Sequence, residues 1–375
     1  MVISRLLANE STIGVDIGSS SIKIMRAEPT KKGIRVSHMA MCPTPPGTIK
    51  EGVVTDIPEV AAAIQFAVRS AGCQANTAIA GIAGPGVIVR HARMPKVTEQ
   101  VLRKSLDFEA SKYISASVED SVVEFEILGD SEEPDRMDVL LVAAPKAMIE
   151  TRVAVLENAG LEPIAIDVEA FAIYRTLVEH NPDPAILEGT IAFMDIGASH
   201  AEINLVSKGN LALTRTIPIA GSSITNALKN AENCSEDEAE QKKFEIDLNE
   251  LVDAPSDAVI GPSLKVVQSL IDELLREIRR SVNFYQSQLP DGSADTAVDK
   301  LILTGGVSKL KGLVPYAARR LNIDVSIGNL DMSDTADDSS SDSKLSCEDA
   351  PLFTVAYGLA VKEFPIPIRV PAEVL

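Results

Sequence analysis

Two short stretches place an aspartate, a glycine and a small polar turn after an apolar run: GVDIGSSSIK (14–23) and FMDIGASHAE (193–202). A turn that only reverses the chain has no use for an aspartate at the end of a buried-looking strand. The other residues indicate a use. Gly18 lets a ligand approach the backbone, consecutive turn N–H groups form a concavity that attracts anions, and Ser19 and Ser20 add hydroxyl donors. Gly197, Ala198 and Ser199 repeat the arrangement. Phosphate suits such a turn, yet a carboxylate repels phosphate. Asp16 and Asp195 make chemical sense as partners of Mg²⁺, usually through water. Seven residues beyond each aspartate stands a charged side chain, Lys23 and Glu202, and Lys23 can neutralise phosphate charge. One such motif alone reads as a polar hairpin. Two copies, each in a strand–turn–strand context, read as two clamps facing one phosphate chain.

A third stretch, LTGGVSKLKGL (303–313), puts Gly305 and Gly306 between a strand and a helix, where backbone can approach a flat ligand. Gly-Gly turns are common, so it gains meaning only beside the other two.

These residues need elements to hold them. TIGVDI, SIKIMRA and IRVSHMAMC are rich in β-branched residues and separated by turn residues, which predicts three strands. Residues 58–72 predict a helix with Pro58 early and Gly72 at its end, and TAIAGIAG predicts a buried strand. From Gly86 to Glu162 the pattern is strand, helix capped by Thr98, two strands, helix: a βαββα unit inserted into the first half. IAIDVEAFAIYRTLVE predicts a strand and a helix. Thr190 to Val206 then repeats the opening motif, with LALTRTIPI as its third strand. Residues 263–289 carry the longest helical pattern, and FTVAYGLAVKEF is a late helix. Met332 to Ala350 is polar and acidic and reads as a solvated loop.

Composition bounds the function. A chain of 375 residues suggests two to three domains, large enough to fold without disulfides or structural metal. Its net charge of −19 argues against gripping nucleic acid and against an anionic membrane surface. Four cysteines, none within metal-ligand spacing of another, fit a reducing compartment. The N-terminus lacks a signal-peptide core, and no stretch approaches the roughly 18 apolar residues of a membrane helix, so direct membrane insertion is not expected.

The three motifs, in this order, resemble those of the actin-like ATPase superfamily. DIGSSSIK is similar to its first phosphate motif, DIGASHAEI to the second and LTGGVSKL to its adenosine motif, while DVEAFAIYR and FTVAYGLAV resemble its two interdomain helices. The resemblance implies an α/β fold of duplicated, ribonuclease H-like domains around a nucleotide cleft. It places 1–85, 163–189 and 352–375 in the first domain, 86–162 in the inserted unit and 190–351 in the second, with a helical part at about 221–262.

Longer stretches, SRLLANESTIGVDIGSSSIKIM, RKSLDFEASKYI, IDVEAFAIYR and ELLREIRRSVNFYQSQ, resemble the PilM family of type IV pilus assembly proteins. That resemblance implies ATP and Mg²⁺, with Asp16 and Asp195 facing the metal and the turns Gly18 to Ser20 and Gly197 to Ser199 holding phosphate oxygens. It brings Gly305 and Gly306 to the adenosine. Glu240 and Lys243 have the E-x-x-K spacing that relatives use near ribose and base; an exposed charged helix explains the pair equally well. Glu169 stands where relatives orient the attacking water, and is either a general base or a hinge-helix residue without chemistry. Hydrolysis stays open, as for a scaffold that holds ATP. The implied partners are the cytoplasmic N-terminal peptide of a PilN-like membrane protein, other pilus assembly proteins and a second copy of the chain. The implied location is the cytoplasm, at the inner face of the membrane.

Two alternatives compete. An FtsA-like division protein ends in an amphipathic membrane helix, whereas FPIPIRVPAEVL carries Pro365, Pro367 and Pro371, which forbid one. A sugar-kinase-type phosphotransferase needs a substrate carboxylate that the sequence does not display.

Overall fold

β-Branched and small apolar residues make the opening of each half into strands buried on both faces, as TIGVDI (Thr12–Ile17) is throughout. The computed structural model describes residues 12–364 apart from 31–32, 115–116, 132, 181–185, 187, 253–259, 289–297, 329 and 331–346. The first half runs through β1 (Thr12–Ile17), β2 (Ser21–Thr30), β3 (Gly33–Pro43), the short pair β4 (Ile49–Lys50) and β5 (Val53–Val54), α1 (Ile57–Ser70) and β6 (Thr77–Ile82). Then come β7 (Ile88–Pro95), α2 (Glu99–Ala110), β8 (Ser121–Asp130), β9 (Arg136–Pro145) and α3 (Lys146–Asn158). β10 (Glu162–Val168) leads into α4 (Glu169–Tyr174), which continues as a π-helical turn (Arg175–Glu179).

The second half begins with β11 (Thr190–Ile196), β12 (Ala201–Ser207) and β13 (Asn210–Ile217). Helices α5 (Gly221–Glu232), α6 (Glu236–Glu245), α7 (Asn249–Val252) and α8 (Pro262–Gln288) follow. After β14 (Lys300–Thr304) come a 3-10 turn (Gly306–Lys309), α9 (Leu313–Leu321) and β15 (Asp324–Ile327). A second 3-10 turn (Cys347–Phe353) opens into α10 (Thr354–Ala360).

The two halves share one plan. The first sheet has the order β3-β2-β1-β6-β10 and the second β13-β12-β11-β14-β15. In each, an antiparallel three-stranded meander is extended by two parallel strands, so β1 and β11 are central. This is the duplicated α/β architecture expected from the paired motifs. The halves meet at α4 and α10. At their crossing, a Cβ on Gly358 would lie 1.9 Å from the Ala172 carbonyl oxygen, so only glycine permits the approach.

β7, β9 and β8 form a separate antiparallel sheet with β9 in the middle. Leu102, Leu106 and Ala110 of α2 pack on its Met94, Val139 and Leu141. The sequence reading groups α3 with this unit, but Val155 and Leu156 of α3 belong to the core beside β1 and α1. The periodicity of α3 marks a helix; it does not say which sheet receives its apolar face.

The acidic run also differs from expectation at its end. Residues 331–346 lie outside the described residues, but 347–350 start the second 3-10 turn, where Ala350 is buried with Phe353 and Met25. Asp349 pairs there with Lys309 at 2.7 Å. The proline-bearing tail, 365–375, lies outside the described residues.

Candidate functional site

Each aspartate closes a central strand, and the strand that follows folds straight back. Asp16 stands opposite Lys23 across β1 and β2, and Asp195 opposite Glu202 across β11 and β12. The two turns close in the same way: Gly18 N–H donates to the Ser21 carbonyl at 3.2 Å, and Gly197 N–H to the His200 carbonyl at 3.1 Å. Thr44 braces the first, its hydroxyl donating to the Gly18 carbonyl at 2.6 Å. The start of α5 braces the second, with Gly221 N–H donating to the Gly197 carbonyl at 3.0 Å and Ser222 N–H to the Ala198 carbonyl at 2.8 Å.

The turns face each other. Ser19 Oγ donates to Ser199 Oγ at 2.9 Å across the domains. Beneath this contact lies a cavity of about 540 Å³, lined by both turns, by Asp16, Lys23, Asp195 and Glu169, and by Glu240, Lys243, Gly305 and Gly306. The fold thus brings the candidate residues of all three motifs to one cleft, except Glu202, which stays behind Asp195 in the sheet. Gly305 has φ +80°, and a Cβ there would lie 2.6 Å from the Ile196 carbonyl oxygen, so the third motif is pressed against the end of β11.

The E-x-x-K pair is split: Glu240 lies on the exposed charged face of its helix, and Lys243 does not. Lys243 is buried, and its Nζ donates to both Glu240 carboxylate oxygens at 2.6 Å and to Thr225 Oγ1 at 3.2 Å. α6 is anchored for this by its capping box, in which the Ser235 hydroxyl accepts from Glu238 N–H at 3.3 Å.

The sequence matches the family described as type IV pilus assembly protein PilM over residues 14–364. The chain belongs to this PilM family. Its fold is similar to that of the PilM–PilN type IV pilus biogenesis complex, with a TM-score of 0.80 and 24% identity over 95% of this chain and 99% of that one. It is also similar to the ethanolamine utilization protein EutJ from Carboxydothermus hydrogenoformans, with a TM-score of 0.54 and 17% identity over 93% and 88% of the two chains. The cell division protein FtsA of Pseudomonas aeruginosa is 26% identical, over 87% of this chain and 84% of that relative. The fold is that of the actin-like ATPases, and the PilM family places the chain in type IV pilus assembly.

In this PilM-family cleft the electrostatics are dominated by buried acids. Asp16 accepts from Lys23 Nζ at 2.9 Å. Burial works against the Lys23 charge, but Asp16, with Asp195 and Glu169 further off, more than offsets it and raises the ammonium pKa. Burial pushes Asp195 up to about 6, against the hydroxyl of Thr304, which donates to it at 2.9 Å, and with added repulsion from Asp16. Glu202 goes up to about 7 by burial and by Asp195, although Asn204 donates to it at 3.2 Å. Glu169, at the first turn of α4, is driven well above the usual carboxylate range by burial and then by Asp16, Glu202 and Asp195.

The sequence reading passed over Arg152, His200, Thr304, Phe244 and Lys309. Arg152, His200, Phe244 and Lys309 line the cavity, and Thr304 holds Asp195. None of them left a signal in the sequence: Arg152 shares the buried face of α3 with Met148 and Val155, but apolar residues lie all round that helix, so no stripe marks the face.

Proposed function

We propose that this PilM-family protein binds ATP with Mg²⁺ between its two domains and serves pilus assembly as a nucleotide-held scaffold. The observation that carries the reading is the meeting of two Asp-Ile-Gly turns, built alike, across one cavity. The residues present fit the group. Asp16, Asp195, Glu169 and Glu202 crowd carboxylates together with less positive charge near them, a setting that a divalent cation relieves. Among the described residues no cluster of three acidic, histidine or cysteine side chains could hold a metal by itself.

In this reading Asp16 and Asp195 hold the hydrated ion, and the turns Gly18–Ser20 and Gly197–Ser199 hold phosphate oxygens through backbone N–H and serine hydroxyls. Lys23 shares its charge between Asp16 and phosphate. Gly305 and Gly306 leave room for the adenine ring, and Glu240 and Lys243 approach the ribose. Bound Mg²⁺ supplies charge neutralisation to the phosphates. Glu169, when ionised, can accept a proton from water at its carboxylate. Recruitment to the inner membrane face is assigned to the N-terminal peptide of a PilN-like protein. The inserted unit supports this, because a bare nucleotide clamp does not need it and its outer strand β8 exposes Val122, Ile127 and Leu128 at a sheet edge.

Calorimetry with Mg·ATP tests the nucleotide reading. Asp195→Ala is expected to weaken binding by roughly tenfold to a hundredfold, the worth of a hydrogen-bonded charged contact. Asp16→Ala should do the same and also destabilise the fold, because it strips Lys23 of its buried partner. Unchanged affinity in both variants would refute the assignment.

A further inference from the structure

Arg152 stands where an arginine is costly. It lies on α3 with Met148, Val155 and Leu156 and is 3% exposed. Its Nε donates to the Gly81 carbonyl at 3.3 Å and its Nη2 to the Ile17 carbonyl at 3.2 Å. Its Nη1 is also buried and has no hydrogen-bond partner among the described residues. Native proteins rarely bury a donor without an acceptor, since the group has given up its hydration for nothing. The side chain lines the cavity between the two phosphate turns.

The two anchored nitrogens fix where the third must be satisfied. Ile17 immediately precedes the first turn. Gly81 lies next to the end of β6 and directly against Glu169, whose Cγ would be 2.8 Å from a Cβ at that position. The guanidinium is therefore tied to the ends of the two neighbouring strands β1 and β6, beside the first turn. Glu169 and Asp16 act on its charge, but neither takes Nη1. Lys23, another cation at this depth, is already paired with Asp16.

We propose that Arg152 is a specificity-determining residue of the cleft: its Nη1 takes an oxygen of the terminal phosphate of a nucleoside triphosphate, a contact that a diphosphate does not supply. The inference rests on the nucleotide reading given above. Arginine suits the task because its planar group keeps its charge when buried and can hold two carbonyls while presenting a further N–H edge to an oxyanion. The same residue connects the cleft to the inserted unit. α3 begins at Lys146, directly after Pro145 ends β9, the middle strand of the inserted sheet. Arg152 lies within the first two turns of that helix. A contact made only with triphosphate biases the placement of α3, and with it the orientation of the inserted unit; by linkage, whatever binds the unit biases the preference for triphosphate.

The test is calorimetry of the full chain with Mg·ATP and with Mg·ADP, on wild type, Arg152→Gln and Arg152→Lys. Arg152→Gln is expected to lower Mg·ATP affinity by about tenfold or more and to change Mg·ADP affinity by less than about twofold. Arg152→Lys keeps the charge and should restore part of the discrimination. Equal losses for both nucleotides, or no loss, would overturn the proposal. If Arg152→Gln does not fold, hydrogen exchange on the wild type decides. Amides of 148–155 should exchange more slowly with a non-hydrolysable triphosphate analogue than with Mg·ADP, and identical exchange would count against Arg152. A wild type that binds no nucleotide removes the nucleotide reading and this inference together. One that binds both nucleotides without Arg152-dependent discrimination removes this inference alone.

Discussion

Asp195 and Glu202 make the cleft sensitive to pH before any ligand arrives. Burial raises Asp195 from its ordinary 3.8 to about 6 and Glu202 from 4.5 to about 7. Between the ordinary and the raised values the folded chain holds more protons than the unfolded chain, so stability falls as pH rises. The contribution is fully present below about pH 4 and lost once pH passes about 7. Each carboxyl contributes on the order of 3 kcal/mol over that window. Melting of the ligand-free protein should therefore show a lower midpoint at pH 7.5 than at pH 5. Asp195→Asn should flatten the slope, because the amide carries no charge to desolvate. Saturating Mg·ATP should flatten it too, since the ion favours the deprotonated acids. A midpoint that rises steadily over this range would contradict the buried-acid account.

Among the elements, α3 has the largest consequences. It follows the inserted sheet in sequence yet packs with the first domain, so the unit that can be removed ends at Pro145. A Cβ on Gly86 would lie 2.8 Å from Pro145 Cγ, so the two ends of 86–145 are neighbours and a short linker can join them. Excising 86–145 should leave a protein that unfolds cooperatively in urea. Excising 86–162 should not, because it strips Met148, Val155 and Leu156 from the interior at about 2–5 kcal/mol each. The crossing of α4 and α10 offers a second check. Gly358→Ala has no room against Ala172 and should cost about 1–3 kcal/mol or more, read from the urea midpoint. Arg175 marks the same crossing, donating to the Gly358 carbonyl at 2.5 Å and to Asp167 at 2.8 Å.

At the scale of the whole molecule the two domains are linked at the lip of the cleft as well as at its hinge. The Ser19–Ser199 hydrogen bond spans that lip, and the inserted unit adds a second bridge, with His91 Nε2 2.7 Å from the Leu211 carbonyl oxygen. A Ser19→Cys, Ser199→Cys pair should form a disulfide on oxidation; Cys42 and Cys73 are buried, and the half-buried Cys234 is replaced by serine in the same protein. The oxidised protein should release pre-bound fluorescent ATP far more slowly than the reduced one. Equal rates would mean that nucleotide passes by another route. Recruitment is tested on the same scale: the chain lacking 86–145 should keep Mg·ATP binding and lose capture of the N-terminal peptide of a PilN-like partner. Retained capture would move the docking site off the inserted unit.

What the sequence determined by itself was local and repeated. Asp16 with Gly18 and Asp195 with Gly197 could be read because strand–turn–strand spacing is written in consecutive residues, and the second copy made the first meaningful. The duplicated sheets followed from the same periodicities, since alternation and turn chemistry need no distant partner. Gly305 and Gly306 were legible as a turn, though not as a turn pressed on Ile196. Tertiary structure alone decided the rest. Lys243 could be a surface lysine or a buried one until Glu240 and Thr225 closed around it. α3 carries apolar residues all round, and only packing chose which of them face the first domain. Arg152 joins that buried face because the carbonyls of Ile17 and Gly81 hold it, and those come from strands far away in the chain. Burial partners and the charge around them depend on contacts between residues distant in sequence, and a local pattern carries no record of those contacts.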